Sequence, residues 1–391
     1  MKQNARALAV SLVACSVFTA CANATPTLAP STQTPGATKV PVPVTLAATP
    51  TLESSQSQIE NTAAPTIENT TAPTSTPQPT VTFAQLTGGG CCVQPFLSAD
   101  GARVLFIDKP SPNAPTGVWA VNASATPGLP QLFSEVLGPF SRDLAYAADL
   151  VNGRTVIRHL EDGAEYVINN GGRAVSFSPD ATRILWTVQQ EVGGFDVRRT
   201  DVYVADIDGA NARLVTTRFG GGALAWLPDS QRVLIGGRAN RADDLPTLAI
   251  LTLADGSVRN LIPVERLRSS VLSPDGRYLI YFVGQARDPA RNGTYLLDLA
   301  ADNPQPQTMD FFGAYRWRDA NRLLFVPLEP GALGNALWQL DVVTMTKTQL
   351  IAPDAASPFK IANGDWDVAR DGSKLIFLSA RDRNIWMATL P

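Results

Sequence analysis

Val175-Ser176-Phe177-Ser178-Pro179-Asp180, followed at once by Arg183-Ile184-Leu185-Trp186, is a phrase that recurs along this chain. It returns as Leu97-Ser98-Ala99-Asp100-Gly101 with Arg103, as Trp226-Leu227-Pro228-Asp229 with Arg232, and as Leu272-Ser273-Pro274-Asp275-Gly276-Arg277. Further copies are Trp317-Arg318-Asp319 with Arg322 and Val368-Ala369-Arg370-Asp371-Gly372 with Lys374; a worn one is Phe140-Ser141-Arg142-Asp143. Successive Asp residues are separated by 43, 37, 49, 46, 44 and 52 residues. A repeat of about 40–50 residues is the period of a four-stranded propeller blade.

Each copy predicts a chain reversal, because Pro cannot continue a strand ladder and Asp-Gly supplies a turn. One strand ends at the phrase. The next is the apolar run behind it, at residues 104–107, 184–188, 233–235, 278–283, 323–326 and 375–378. Such continuous runs are how fully buried strands read. A third strand is expected at 118–121, 202–207, 248–253, 294–299, 337–342 and 385–388, and a fourth at stretches such as 213–216 or 257–262. The second repeat fits loosely, with strands at 145–148, 156–160 and 165–168 around an Asn152-Gly153 turn. After Asp371 only two more strands fit, whereas residues 80–87 precede the first repeat as an orphan fourth strand. Pairing these ends closes the ring and removes its exposed edges. The expectation is an all-β, seven-bladed (alternatively six-bladed) β-propeller of four-stranded antiparallel blades, with the N-terminal strand closing the last blade.

Outward from the repeats, three domains are expected: residues 1–20 as a signal segment, 21–79 as a tether and 80–391 as the propeller. Lys2 and Arg6 precede an apolar run too short to span a membrane, which is the layout of a secretory signal. Phe18-Thr19-Ala20-Cys21 resembles the lipobox of bacterial lipoproteins, in which the Cys is acylated. Leu12-Val13-Ala14-Cys15 is the alternative but leaves a shorter apolar core, so Cys21 is preferred; an ordinary cleaved signal is the plain reading. Residues 22–80 are almost wholly Thr, Pro, Ala, Ser, Asn and Gln, without an aromatic residue. That composition cannot offset its ordering entropy and predicts a disordered stalk. The expected location is the extracytoplasmic side of a bacterial membrane, held there by lipid.

The repeats resemble those of the TolB-like, WD40-like Asp-repeat propellers, whose blades carry a Phe-Ser-Pro-Asp-Gly phrase, over roughly residues 80–391. The resemblance implies the propeller and little about activity, since the fold hosts many functions. TolB has six blades and a folded N-terminal domain; this chain has seven Asp phrases and a tether. A TolB-type role in an envelope complex is therefore not carried over.

Charge and site motifs narrow the function. Without Lys2 and Arg6 the chain holds 30 basic residues against 35 acidic, which argues against nucleic acid as a partner. Asp206-Ile207-Asp208-Gly209 starts like a calcium loop but lacks the remaining ligands, and reads as a hairpin turn. Cys91-Cys92 lacks metal-ligand spacing; buried thiols are favoured over a vicinal disulfide. His159 is the only His, and no Gly-x-Ser-x-Gly elbow occurs, so no catalytic residue, metal or cofactor is expected. Trp226, Trp317 and Trp366 suit packing between blades more than stacking on sugar. The loops between second and third strands carry Arg198, Arg199, Arg238, Arg241, Arg287, Arg291, Arg381 and Arg383 among acidic residues. They make either a solvated rim or a binding face for an anionic peptide or polysaccharide. The favoured function is a binding or scaffolding module with a protein or polysaccharide partner. The alternatives are a lyase-like enzyme acting on carbohydrate and a purely structural envelope protein.

Overall fold

The computed structural model describes residues 80–190 and 192–391. Cys15, Cys21, the signal segment and the tether lie outside the described residues. Strand β1 (Thr82–Gln85) precedes a first set of four: β2 (Val93–Leu97), β3 (Arg103–Asp108), β4 (Gly117–Asn122) and β5 (Gln131–Ser134). Set two has three strands, β6 (Tyr146–Val151), β7 (Arg154–His159) and β8 (Glu165–Ile168). Set three contains β9 (Ser176–Phe177), β10 (Arg183–Gln189) and β11 (Arg199–Asp206), and ends in the long β12 (Arg213–Trp226). Set four begins with the second half of β12 and adds β13 (Arg232–Arg238), β14 (Thr247–Thr252) and β15 (Val258–Pro263). Set five is β16 (Leu267–Leu272), β17 (Tyr278–Val283), β18 (Gly293–Asp298) and β19 (Gln307–Met309). Set six is β20 (Gly313–Trp317), β21 (Arg322–Pro327), β22 (Leu337–Asp341) and β23 (Thr346–Ile351). Set seven is β24 (Ile361–Val368), β25 (Lys374–Ser379) and β26 (Ile385–Thr389).

All pairings are antiparallel, and β1 completes set seven by pairing with β26, Phe83 standing opposite Ala388. The ends of the described chain therefore meet in one sheet, as their sequence predicted. Neighbouring sets bury apolar clusters against each other. Leu234 and Leu279 join sets four and five, Ile280 and Leu323 join five and six, and Leu324 and Phe377 join six and seven. Phe106 and Ile376 join one and seven, Leu185 and Val233 join three and four, and Ile157 and Ile184 join two and three. Each such side chain contributes about 1.5–3 kcal/mol on burial.

The repeated Asp has one job throughout. Its Oδ1 accepts the N–H two residues on in every copy: Asp100 from Ala102, Asp143 from Ala145, Asp180 from Thr182 and Asp229 from Gln231. Asp275, Asp319 and Asp371 accept from Arg277, Asn321 and Ser373 in the same way. Where the phrase has Ser, its buried hydroxyl donates to that Asp and accepts the N–H five residues on. Ser178, for example, lies 2.6 Å from Asp180 and 3.0 Å from the Arg183 nitrogen. The Asp repeat is thus a turn lock. The residue after Asp is left-handed in most copies, which is why Gly recurs there; Gly372 has φ 68° and an added Cβ would lie 2.8 Å from Arg318 Cγ.

Gly220-Gly221-Gly222 stands where set three passes into set four, and β12 runs straight through it. The segment bulges there, and a Cβ on Gly221 would lie 2.3 Å from Gly236 O, so Gly is what permits the crossing. Cys91 and Cys92, expected as buried thiols, form a disulfide. Cys92 takes φ 94°, and the Cys91 N–H is tied to Arg383 O in the β25–β26 turn, so the local backbone brings the two sulfurs together.

Candidate functional site

A cavity of about 1100 Å³ lies on the inner strands and Asp turns of sets one, two, three, five, six and seven. Its polar lining is cationic at the Asp-turn end. Arg142 and Arg370 each stand immediately before a repeat Asp, where sets three to five have Pro. Both are exposed, and among the described residues neither makes a hydrogen bond or ion pair with the protein. The Arg142 guanidinium is held below its usual range because the surrounding walls strip part of its water, and next because Arg370 adds a like charge. Two cations in one cavity lining, neither paired with a carboxylate among the described residues, suit an anionic guest.

Arg318 lines the same cavity but is committed elsewhere. It takes the place of the buried turn Ser in set six and is itself only 6% exposed. Its guanidinium donates to Gly372 O, Gln339 Oε1 and Pro391 O. Arg173 enters from set three, its carbonyl fixed by Thr155 Oγ1 and Asn170 Nδ2. In set seven the Asp367 carboxylate accepts the Leu97 N–H at 2.9 Å. Burial raises its pKa, against smaller lowering effects from the Leu97 and Val368 N–H groups and from Arg316. The apolar lining includes Phe96, Leu97, Ile107, Val118, Leu137, Phe140 and Val368. Phe96 and Phe133 pack on Phe140 with ring centroids 6.2 Å and 5.9 Å away.

The arginines singled out in sequence lie at the other end of the sets, where second strands turn into third. Six of the eight are bonded within the protein. Arg238, 7% exposed, donates to the carbonyls of Asp196, Asp243 and Asp244. Arg198 donates to Gly193 O, and Arg381 donates to Leu333 O and Asp354 O. Arg199 pairs with Asp201 at 2.9 Å, Arg287 with Glu265 at 3.3 Å and Arg291 with Asp288 at 3.9 Å. Arg241 and Arg383 are exposed, and Arg383 lowers the pKa of Asp365 against the larger raising effect of burial. A smaller cavity of about 210 Å³ sits there, with Arg238, Arg266 and Arg287 in its wall. The end is a charged rim tied largely to itself.

The remaining motifs are structural. Asp208 accepts the Ala210 N–H and Gly209 donates to Asp206 O, which is a hairpin turn. His159 lies beside Asp162 at 2.7 Å on set two, outside the cavity. Trp226 bonds Ser176 Oγ of the neighbouring set at 3.2 Å, Trp317 bonds Val271 O at 3.1 Å, and Trp366 is buried beneath Arg316. Among the described residues, no three His, Cys, Asp or Glu side chains gather as a metal site. Sequence reading overlooked Arg142 and Arg370. The available signal was the change from Pro to Arg at one fixed position of the repeat.

No protein-family model matches the chain, and no curated protein matches it. Solved structures do. An oligogalacturonate lyase from Vibrio parahaemolyticus is similar at TM-score 0.55 and 14% identity, over 80% of this chain and 97% of the lyase. An acylaminoacyl peptidase from Pyrococcus horikoshii is similar at TM-score 0.51 and 14% identity, over 77% of this chain and 52% of the peptidase. TolB from Acinetobacter baumannii aligns at TM-score 0.36 and 17% identity, over 76% of this chain and 78% of TolB, too loosely to add to the argument. At such identities likeness speaks for fold alone, and the fold is a β-propeller.

Proposed function

We propose that this chain is a membrane-anchored extracytoplasmic lipoprotein whose propeller serves as a binding or scaffolding module. Its protein or polysaccharide partner presents an anionic group to the central cavity. The observation that carries this reading is the pair Arg142 and Arg370, two cations in one cavity that make no hydrogen bond or ion pair among the described residues. The arginine rim is the less favoured face, because most of its charges already have partners. The test is calorimetric titration of the full chain with an acidic peptide, a uronate oligomer and a neutral oligosaccharide. The anionic ligands should bind, and Arg142→Gln with Arg370→Gln should weaken them about tenfold or more. Equal binding by the double variant would move the site to the rim, and no binding would favour a purely structural role. Anchoring is tested by labelling cells with a radioactive fatty acid. Cys21→Ser should abolish incorporation, whereas loss with Cys15→Ser alone would reassign the lipidated residue.

An enzyme acting on acidic carbohydrate is the second reading. A carboxyl with a raised pKa, Asp367, shares the cavity with the cations, and the fold neighbour named above is an oligogalacturonate lyase. Formation of an unsaturated product from polygalacturonate, abolished by Asp367→Asn, would replace the binding reading.

A further inference from the structure

Most seams between neighbouring strand sets are filled from both sides by large buried apolar clusters. Between sets one and two the filling is smaller, with buried Leu105, Ala147 and Val156 and with Phe140 packed on Phe96 and Phe133, and the cavity lies beside it. Its lining there is apolar: Ile107 and Val118 from set one, and Leu137 and Phe140 from set two. The segment that should form the inner strand of set two contains Gly138 and Pro139, and Gly138 lies so close to β6 that a Cβ would meet Ala148 O at 1.6 Å.

The same cavity carries the cations. Phe140 and Arg142 of set two and Val368 and Arg370 of set seven all line it, so on each set an apolar side chain stands two residues from a guanidinium. At the other end of set two stand Glu135 and Asp149, which also line it. A guest with a second negative group at that end would meet these carboxylates. Hydrocarbon can be buried against this apolar stretch without loss of hydrogen bonds.

We propose that the cavity binds a small amphipathic monocarboxylate, its carboxylate at Arg142 and Arg370 and its hydrocarbon along the apolar lining of Ile107, Val118, Leu137 and Phe140. This inference rests on the anion seat described above and adds the apolar half of the site.

The experiment uses the full chain carrying Cys15→Ser and Cys21→Ser, so that it holds no lipid. Decanoate, acetate and decanol are titrated calorimetrically, with the acidic peptide as a separate arm. Each buried methylene favours binding about fourfold, so decanoate should bind at least roughly a hundredfold more tightly than acetate. Decanol should bind more weakly than decanoate by about tenfold or more, and Arg142→Gln with Arg370→Gln should remove that difference. Leu137→Ser should weaken decanoate while leaving the acidic peptide unchanged; Ile107→Thr probes the opposite wall should the first variant misfold. Decanoate binding no better than acetate, with the peptide still bound, overturns the amphipathic guest and leaves the anion seat standing. Decanol matching decanoate, or decanoate indifferent to both arginines, also overturns it. Failure of every anion, peptide included, sinks both readings together.

Discussion

Sets five to seven and sets two and three carry the same turn chemistry on different strands. The inner strands β16, β20 and β24 have 6, 5 and 8 residues, whereas β9 has 2 and the inner segment of set two makes a single bridge, Phe140 to Ala147. Yet Ser141 and Asp143 in set two make the hydrogen bonds that Ser273 and Asp275 make in set five. The turn therefore reverses the chain by itself, and the inner strand has to be specified separately. Leu267 to Leu272 can pair along its length; Gly138-Pro139 cannot, since Pro lacks a donor and Gly lacks a side chain to pack. Where the inner strand fails, the second strand of set two lines the cavity through Ala148, Asp149 and Leu150.

The largest expected difference between these regions is in packing. Phe377 on β25 is wholly buried between sets six and seven, so Phe377→Ala should cost about 3–5 kcal/mol in urea unfolding. Leu150 on β6 is 60% exposed, and Leu150→Ala should change stability by no more than about 0.5 kcal/mol. Comparable losses at the two positions would mean that set two is packed as tightly as set seven, which would undo the comparison.

A smaller and more pointed test compares the turns. Asp275→Ala and Asp143→Ala each leave a turn N–H and a Ser hydroxyl without their shared acceptor, at a cost of about 1–3 kcal/mol. Similar losses by chemical denaturation are expected, because the lock is the same in both sets. A negligible loss at Asp143 would show that set two has lost its turn as well as its strand.

These contrasts explain what the sequence made legible. The Asp phrase, the apolar second strands and the orphan strand at the N-terminus depend on local pattern, and β3, β10, β17, β21 and β25 fall where the apolar runs lie. Side-chain direction around a ring does not depend on local pattern. Arg142 and Arg370 read as decay of a consensus Pro, and only the ring brings them near each other, 228 positions apart in the chain. The rim arginines failed in the opposite sense. Their spacing announced a charged face, but side-chain direction commits them to partners in their own loops, such as Gly193 O for Arg198, and in neighbouring sets, such as Asp196 O for Arg238. The disulfide was missed because a positive φ at Cys92 has no signature in composition.

The smallest effect tests the regular side of the cavity. Burial raises the pKa of Asp367 above 3.8 in the folded protein, although its carboxylate accepts the Leu97 N–H. Above 3.8 the unfolded chain releases this proton more readily than the folded one, so ionisation favours unfolding and stability is lost as pH rises through the window up to the folded value. Below 3.8 both states are protonated and the penalty disappears. Asp367→Asn keeps an acceptor for Leu97 and cannot ionise. Its melting temperature should therefore exceed that of the parent at about pH 7 and match it at about pH 3. A gain of equal size at both pH values would trace the effect to packing and remove charge burial from the account of this wall. A loss at neutral pH would mean that the Leu97 and Val368 N–H groups and Arg316 together hold the carboxylate more strongly than burial penalises it, so that its charge stabilises this wall.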